Sequence, residues 1–259
     1  MSQAQLLYQN LMKYNDLEYE LFARQFILKE FTEEILSELN KLKIAIVGLG
    51  GIGCPLSQYL ISSGIKNLKI FDGDKIEKSN LNRQILYSIE DIGKKKSDIS
   101  KSKLLKTNPH SNIESYSINL YEENINLLSN SSLVIDTTDN WHTSKLLNEY
   151  CVKNSVSFIF ASAVGHDIQI AFFPNKKNKH ICLNCLFPNK DDVEIPRCET
   201  VGISGITAGI AGLLTAQKTI NSLLNFKDEN NILTLFNTIS GEIQKIKVKN
   251  SKECQLNKG

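Results

Sequence analysis

Arginine is scarce in this chain: three residues, Arg24, Arg83 and Arg197, stand against 27 lysines. A guanidinium grips a phosphate or carboxylate in a planar, two-pronged way that an ammonium cannot reproduce, so each of the three is worth locating. Long apolar runs are missing as well. No stretch approaches the roughly 18 consecutive apolar residues of a membrane-spanning helix. The N-terminus, Met1-Ser2-Gln3-Ala4-Gln5, lacks the basic-then-apolar order of a secretory signal. A membrane protein is not expected, and the cytoplasm is the expected compartment. An excess of one charge is missing too. The 30 basic and 28 acidic side chains leave a net +2, too little for a field that captures nucleic acid or a lipid surface. A hydrophobic content of 41% excludes a disordered chain.

The 259 residues fit one large domain or two small ones, and no internal repeat or obvious linker divides them. Residues 1–40 carry apolar positions at helical spacing (Leu6, Leu7, Leu11, then Ile27, Phe31, Ile35, Leu36 and Leu39), which predicts a helical N-terminal arm. A β-branched run, Lys43 to Val47, leads directly into Gly48-Leu49-Gly50-Gly51-Ile52-Gly53 and an amphipathic stretch ending at Gly64. A second strand, Asn67 to Phe71, ends in Asp72, 19 positions after the last glycine of the motif. Strand, glycine turn, helix, strand and acid together make a dinucleotide-type fingerprint. Further strands are predicted at Leu133–Ile135, Phe158–Phe160 and Ile168–Phe172, a buried helix from Ser204 to about Leu224, and two short strands near Ile232–Leu235 and Ile243–Val248. Residues 175–200 are the least regular and read as a long functional loop.

The fingerprint expects a phosphate at a helix N-terminus, where free amides and the helix dipole favour an anion. It leaves open whether the nucleotide is NAD or ATP. The residues that follow bear on that choice: Asp72-Gly73-Asp74, then Ser79-Asn80-Leu81-Asn82-Arg83-Gln84, then Gly93-Lys94-Lys95-Lys96, and later Asp136-Thr137-Thr138-Asp139-Asn140. With Arg24-Gln25 upstream and Arg197-Cys198-Glu199 downstream, this pattern resembles the ThiF/MoeB/HesA family of ubiquitin-activating-like adenylyltransferases over residues 20–257. Activating a carboxylate with ATP brings two anions together, so the site needs cations, a metal-binding carboxylate and backbone amides where charge develops. A hydride transfer needs none of these.

The resemblance implies an α/β, Rossmann-like ATP-binding fold whose mainly parallel sheet is extended by C-terminal antiparallel strands. It implies that Gly48, Gly50, Gly51 and Gly53 form the nucleotide loop and that Asp72 holds the ribose. Asp74 joins the nucleotide site, and Asn80, Arg83 and Lys96 surround the phosphates, with Lys95 the alternative to Lys96. Asp139 supports Mg²⁺. Arg24 matches an arginine that reaches into a partner subunit's site, which implies a homodimer. Cys198 matches a cysteine that in some members accepts the activated acyl group or sulfur and in others plays no part.

Six cysteines, two of them in Cys182-Leu183-Asn184-Cys185, point in a reducing compartment to metal or catalysis rather than disulfides. The pair is half of a tetrahedral zinc site. The resemblance supplies the other half from a second pair near the C-terminus. Here Cys254 stands 72 residues after Cys182, but Asn257 occupies the place of the fourth thiol. Three outcomes stay open: zinc held with another ligand such as His180 or water, a weak site, or a lost one. Cys54 and Cys151 read as core residues, and none of the four histidines has metal-type spacing.

The expected activity is ATP-dependent adenylation of the C-terminal carboxylate of a small ubiquitin-like sulfur carrier ending in Gly-Gly, ahead of thiocarboxylate formation for molybdopterin or thiamine biosynthesis. The chain ends soon after Cys254 with no rhodanese-like extension, so sulfur is expected from a separate donor protein. Alternatives are a peptide carboxylate in a modified-peptide pathway, an inactive nucleotide-binding scaffold, or an NAD-dependent dehydrogenase.

Overall fold

A computed structural model of the chain describes residues 16–175, 181–188, 201–224, 230–252, 254 and 256. Short apolar strands alternate with helices from Lys43 onward. The elements are β1 (Lys43–Val47), α3 (Gly53–Ser62), β2 (Asn67–Phe71), α4 (Lys96–Thr107), β3 (Asn112–Tyr116), β4 (Leu133–Asp136), α5 (Trp141–Asn154), β5 (Ser157–Val164), β6 (Asp167–Phe173), α6 (Leu183–Leu186), α7 (Gly205–Leu223), β7 (Ile232–Asn237) and β8 (Ile243–Lys247). Ahead of them stand α1 (Asp16–Phe22) and α2 (Glu33–Lys41).

The strands form one eight-stranded sheet in the order β3-β2-β1-β4-β5-β6-β7-β8. Pairing is parallel from β3 to β5 and antiparallel from β5 to β8. The four central strands read Lys-Ile-Ala-Ile-Val, Asn-Leu-Lys-Ile-Phe, Leu-Val-Ile-Asp and Ser-Phe-Ile-Phe, near-continuous apolar runs because helices cover both faces. One core fills the face under α2, α3 and α7, with Leu36, Leu56, Leu60 and Ala211 against Ile44, Ile46, Ile135 and Ile159. The other lies on the α5 side, with Leu147 and Cys151 against Ala45, Val134 and Phe158. Cys54 and Cys151 are fully buried, as expected of packing residues. After β1 the chain moves outward through β2 to β3, and then returns to lay β4 on the other side of β1. That reversal opens a crevice beyond the carboxyl ends of β1 and β4, where open α/β sheets bind ligands.

Two features depart from expectation. The arm is not one helical run. Residues 23–31 form successive tight turns, and Thr32 then caps α2 by accepting the Ile35 N–H. Phe22 and Phe31 insert into the core from the two ends of this turn region while Ile27 stays exposed, so burying both rings replaces continuous helix. The positions Leu6, Leu7 and Leu11 lie outside the described residues. The second departure is β3, which the sequence did not announce. Its Asn-Ile-Glu-Ser-Tyr buries only Ile113 because it is a sheet edge, and its pairing with β2 rather than its own hydrophobicity makes it a strand. No helix among the described residues is long and apolar enough to cross a membrane.

Candidate active site

The glycine loop occupies the crevice. Gly48 follows β1 with φ +93°, a conformation open to glycine, and a Cβ at Gly53 would run into the Gly48 carbonyl oxygen. Side chains from distant segments fix the loop. The Thr137 hydroxyl donates to the Gly48 carbonyl at 2.7 Å, and the Leu49 N–H donates to Asp72 Oδ2 at 2.7 Å. The Leu49 carbonyl accepts from the Tyr87 hydroxyl at 2.9 Å and from the Cys54 thiol at 3.3 Å. The amides of Gly50, Gly51, Ile52 and Gly53 donate to no acceptor among the described residues, and Ile52 caps α3 without a side-chain hydrogen bond. These are the orphan donors of a helix start, and they point to an anion. A Cβ at Gly50 would meet only Gln84 Nε2 at 3.7 Å, so packing does not demand glycine there. A side chain would instead fill the space a phosphate needs. Gly51 is tighter, with a Cβ there 2.9 Å from that of Ala208 on α7.

Asp72 ends β2, and its Oδ1 accepts the Asp74 N–H at 2.9 Å. Burial raises its pKa, opposed by the nearby Lys96 charge and by the N–H groups of Leu49 and Asp74. Lys96, the first residue of α4, is buried to 6% exposure and its Nζ pairs with Asp74 Oδ2 at 2.9 Å. Lys95 instead turns its Nζ to the Gly73 carbonyl at 2.7 Å. Of the two neighbouring lysines, Lys96 is therefore the one grouped with the site carboxylates.

Asn80 closes a short 3₁₀ turn and spends its Oδ1 on the Glu77 N–H at 3.2 Å. That turn carries Arg83, whose Nη1 donates to the Ser79 carbonyl at 3.0 Å and to Asn82 Oδ1 at 3.1 Å. Arg83 Cγ stands 3.4 Å from the Cβ position of Gly51, which puts the half-buried arginine beside the free amides. Across the crevice, β4 ends in the fully buried Asp136, which accepts the Thr138 N–H at 2.9 Å and hydroxyl at 2.7 Å. Burial pushes Asp136 up to about 6, with the charge of Asp139 adding to the rise and the Ser144 and Thr138 hydrogen bonds opposing it. The turn it shapes leaves Asp139 exposed, and Asn140 then caps α5 by accepting the Thr143 N–H at 3.1 Å.

Arg24 does not join this cluster within its own chain. It lies exposed in the turn between α1 and α2, among exposed Leu21, Ile27 and Leu28, and makes no hydrogen bond or ion pair with the described residues. Arg197 and Cys198 lie outside the described residues, as do His180 and Asn257. Trp141 packs edge-on against Phe187 and Phe160, at 5.5 and 6.5 Å between ring centres, and serves packing.

A second cluster forms away from the crevice. The sulfurs of Cys182, Cys185 and Cys254 lie within 4.8 Å of one another, all buried, with Cys182 and Cys254 at 3.7 Å. Mutual contact holds the Cys185 thiol low, helped by a Ser251 backbone hydrogen bond, and pushes Cys182 up. Buried Asn148 on α5 ties this loop down, accepting the Leu183 N–H at 3.0 Å and donating to Asn184 Oδ1 at 3.2 Å. Thr137 lies within the Asp136–Asn140 motif but its role as a loop anchor, like that of Tyr87 outside every motif, is not marked by local sequence, because the partners are far along the chain.

A mostly parallel sheet with a reversal point, a glycine loop at a helix start whose amides meet no acceptor among the described residues, Asp72 on the loop's Leu49 N–H and Arg83 beside Gly51 define a Rossmann-like protein with an anion-accepting loop. The chain belongs to the ThiF family, whose model matches residues 22–256, and is an enzyme of the adenylyltransferase class. It is 30% identical over 251 residues to the sulfur carrier protein adenylyltransferase of Thermus thermophilus, covering 95% of this chain and 93% of the relative. It is also 30% identical to the sulfur carrier protein ThiS adenylyltransferase of Escherichia coli, covering 93% and 96%. Among solved structures, E. coli MccB with ATP superimposes with a TM-score of 0.79 at 21% identity, covering 92% of this chain and 75% of that one, a likeness of fold.

Proposed function

We propose that this enzyme adenylates the C-terminal glycine carboxylate of a small ubiquitin-like sulfur carrier protein, using ATP in the cytoplasm. The observation that carries the reading is the set of free amides from Gly50 to Gly53 flanked by Arg83 and by Lys96. A carrier carboxylate oxygen attacks the α-phosphorus, a new P–O bond forms, the bond to the β-phosphate oxygen breaks, and pyrophosphate leaves. The loop amides and the two cations stabilise the charge that builds on the phosphate oxygens. Asp72 holds the ribose hydroxyls, with Asp74 keeping Lys96 in place until phosphate competes for it. The exposed carboxylate of Asp139 would hold magnesium, which would supply positive charge to neutralise the phosphates. Sulfide-level sulfur delivered by a separate donor protein then attacks the acyl carbon of the adenylate; the C–S bond forms, the bond to the AMP oxygen breaks and AMP leaves, giving a thiocarboxylate that serves molybdopterin or thiamine synthesis. Cys198 is the residue to test for a covalent intermediate in that second stage.

The active unit is a homodimer in which Arg24 of one subunit completes the other's site. Its unpaired guanidinium within an exposed apolar turn supports this reading. Zinc fits three corners of the cysteine cluster. A tetrahedral site with Zn–S bonds of about 2.3 Å has sulfur–sulfur edges of about 3.8 Å, close to the 3.7 Å between Cys182 and Cys254. Among the described residues no fourth thiol joins them. Purified protein should therefore contain at most one zinc per chain, and Cys254→Ser should lower the zinc content measured by atomic emission. Unchanged zinc in that variant would show that these thiols are not the ligands.

The test of the whole reading is ATP–pyrophosphate exchange with and without candidate substrates. Exchange that appears only with a carrier ending in Gly-Gly supports it. Exchange driven by a peptide instead moves the substrate class, and NAD binding with no exchange under any carrier overturns it.

A further inference from the structure

We infer that Tyr87 is a positioning residue for phosphate binding, acting by holding the Leu49–Gly50 peptide so that the Gly50 N–H faces the nucleotide. The inference rests on the nucleotide reading of the glycine loop and adds to it a residue outside every motif of the sequence.

A trans peptide is planar, and its C=O and N–H point in opposite directions. The carbonyl that Tyr87 holds at 2.9 Å belongs to Leu49, so the N–H of the same peptide unit is that of Gly50. Pulling the carbonyl inward turns this N–H outward, toward the space that lacks any protein acceptor. The restraint is needed because the loop is flanked by glycines. With Gly48 at φ +93° and no Cβ at Gly50, the chain itself does little to oppose a flip of this peptide. Every polar group of Leu49 is engaged: its N–H by Asp72 at 2.7 Å, its carbonyl by Tyr87 and by the Cys54 thiol at 3.3 Å.

The same hydroxyl reaches further. Its oxygen lies 3.0 Å from Ser100 Oγ on α4. Since the phenol donates to Leu49, it accepts from Ser100. Ser100 stands four residues after Lys96, one turn along the helix that begins with that lysine. The Tyr87 N–H donates to the Gln84 carbonyl at 3.0 Å, at the end of the segment that carries Arg83. The phenol thus ties the loop amide to the Lys96 helix, and the Tyr87 backbone joins both to the segment that carries Arg83. Burial raises the Tyr87 pKa strongly, so the phenol remains a donor throughout the working range.

Tyr87→Phe removes the hydroxyl alone. Its affinity for ATP, measured by calorimetry without carrier, should fall about tenfold, the scale of one or two lost hydrogen bonds. Affinity for adenosine, which carries no phosphate, should stay within about twofold of wild type by the same reasoning. Ser100→Ala should weaken ATP by a smaller factor, and the double variant should bind no worse than Tyr87→Phe, because the serine acts only through the phenol. Equal loss of ATP and adenosine would make Tyr87 a general packing residue and overturn the inference, as would unchanged ATP affinity. If Tyr87→Phe does not fold, the ATP-to-adenosine ratio of Ser100→Ala decides in the same way. Wild-type protein that fails to bind ATP would instead remove the nucleotide reading itself.

Discussion

Arg83→Ala should lower ATP–pyrophosphate exchange by about 10²- to 10³-fold, the range seen when one preorganised donor to a developing anion is removed. Thermal stability should barely change. Arg83 is half-buried, and its two hydrogen bonds go to the Ser79 carbonyl and to the exposed Asn82 side chain, both able to turn to water. Arg83→Lys should recover little of the loss, because one ammonium cannot hold the Ser79 and Asn82 oxygens in the planar arrangement and also face phosphate. A lysine variant with near-normal exchange would mean that only charge matters at this position. An unfolded alanine variant would assign Arg83 to structure.

The second large effect separates cis from trans. Arg24→Ala should abolish exchange as thoroughly as Arg83→Ala, although Arg24 touches nothing in its own chain's crevice. Mixed after subunit exchange, the two inactive variants should regain about a quarter of wild-type activity. Half of randomly paired dimers are then mixed, and each has one intact site of two. The exchange of subunits is verified by mass-tagged chains. Full mixing with no recovery would overturn the trans role of Arg24.

The composition already hinted at these two residues. A chain with 27 lysines uses arginine at three positions. Arg83 stands beside the free amides, Arg24 sits exposed and unpaired on an apolar turn, and Arg197 lies in the 175–200 loop outside the described residues. Where a point charge suffices, as in the Lys96–Asp74 pair, the chain uses lysine.

Much of the site was legible because its signals are local. The run from Lys43 through the glycines to Asp72 folds as the strand, turn, helix and strand expected of it, and α7 spans the glycine- and alanine-rich stretch where a buried helix was expected. Glycine demands at Gly48 and Gly53 arise from a turn only a few residues long. The arm was misread because its apolar spacing reports which residues seek the core. Phe22 and Phe31 reach it from a turn as well as a helix could bring them. The strand β3 was unreadable because an edge strand needs little hydrophobicity of its own.

The sequence by itself determined the doubly wound order of elements and the glycine loop with the acid that follows the second strand. These follow from side-chain periodicity and allowed backbone angles, which act over a few residues. Only the tertiary structure decided that Lys96 rather than Lys95 faces the carboxylates, and that the thiols of Cys182, Cys185 and Cys254 meet. It alone decided which groups hold the loop still. The bonds from Thr137 to Val47 and from Tyr87 to Leu49 span 90 and 38 residues. Such partners are chosen by how the sheet and its helices pack, so no local pattern can announce them.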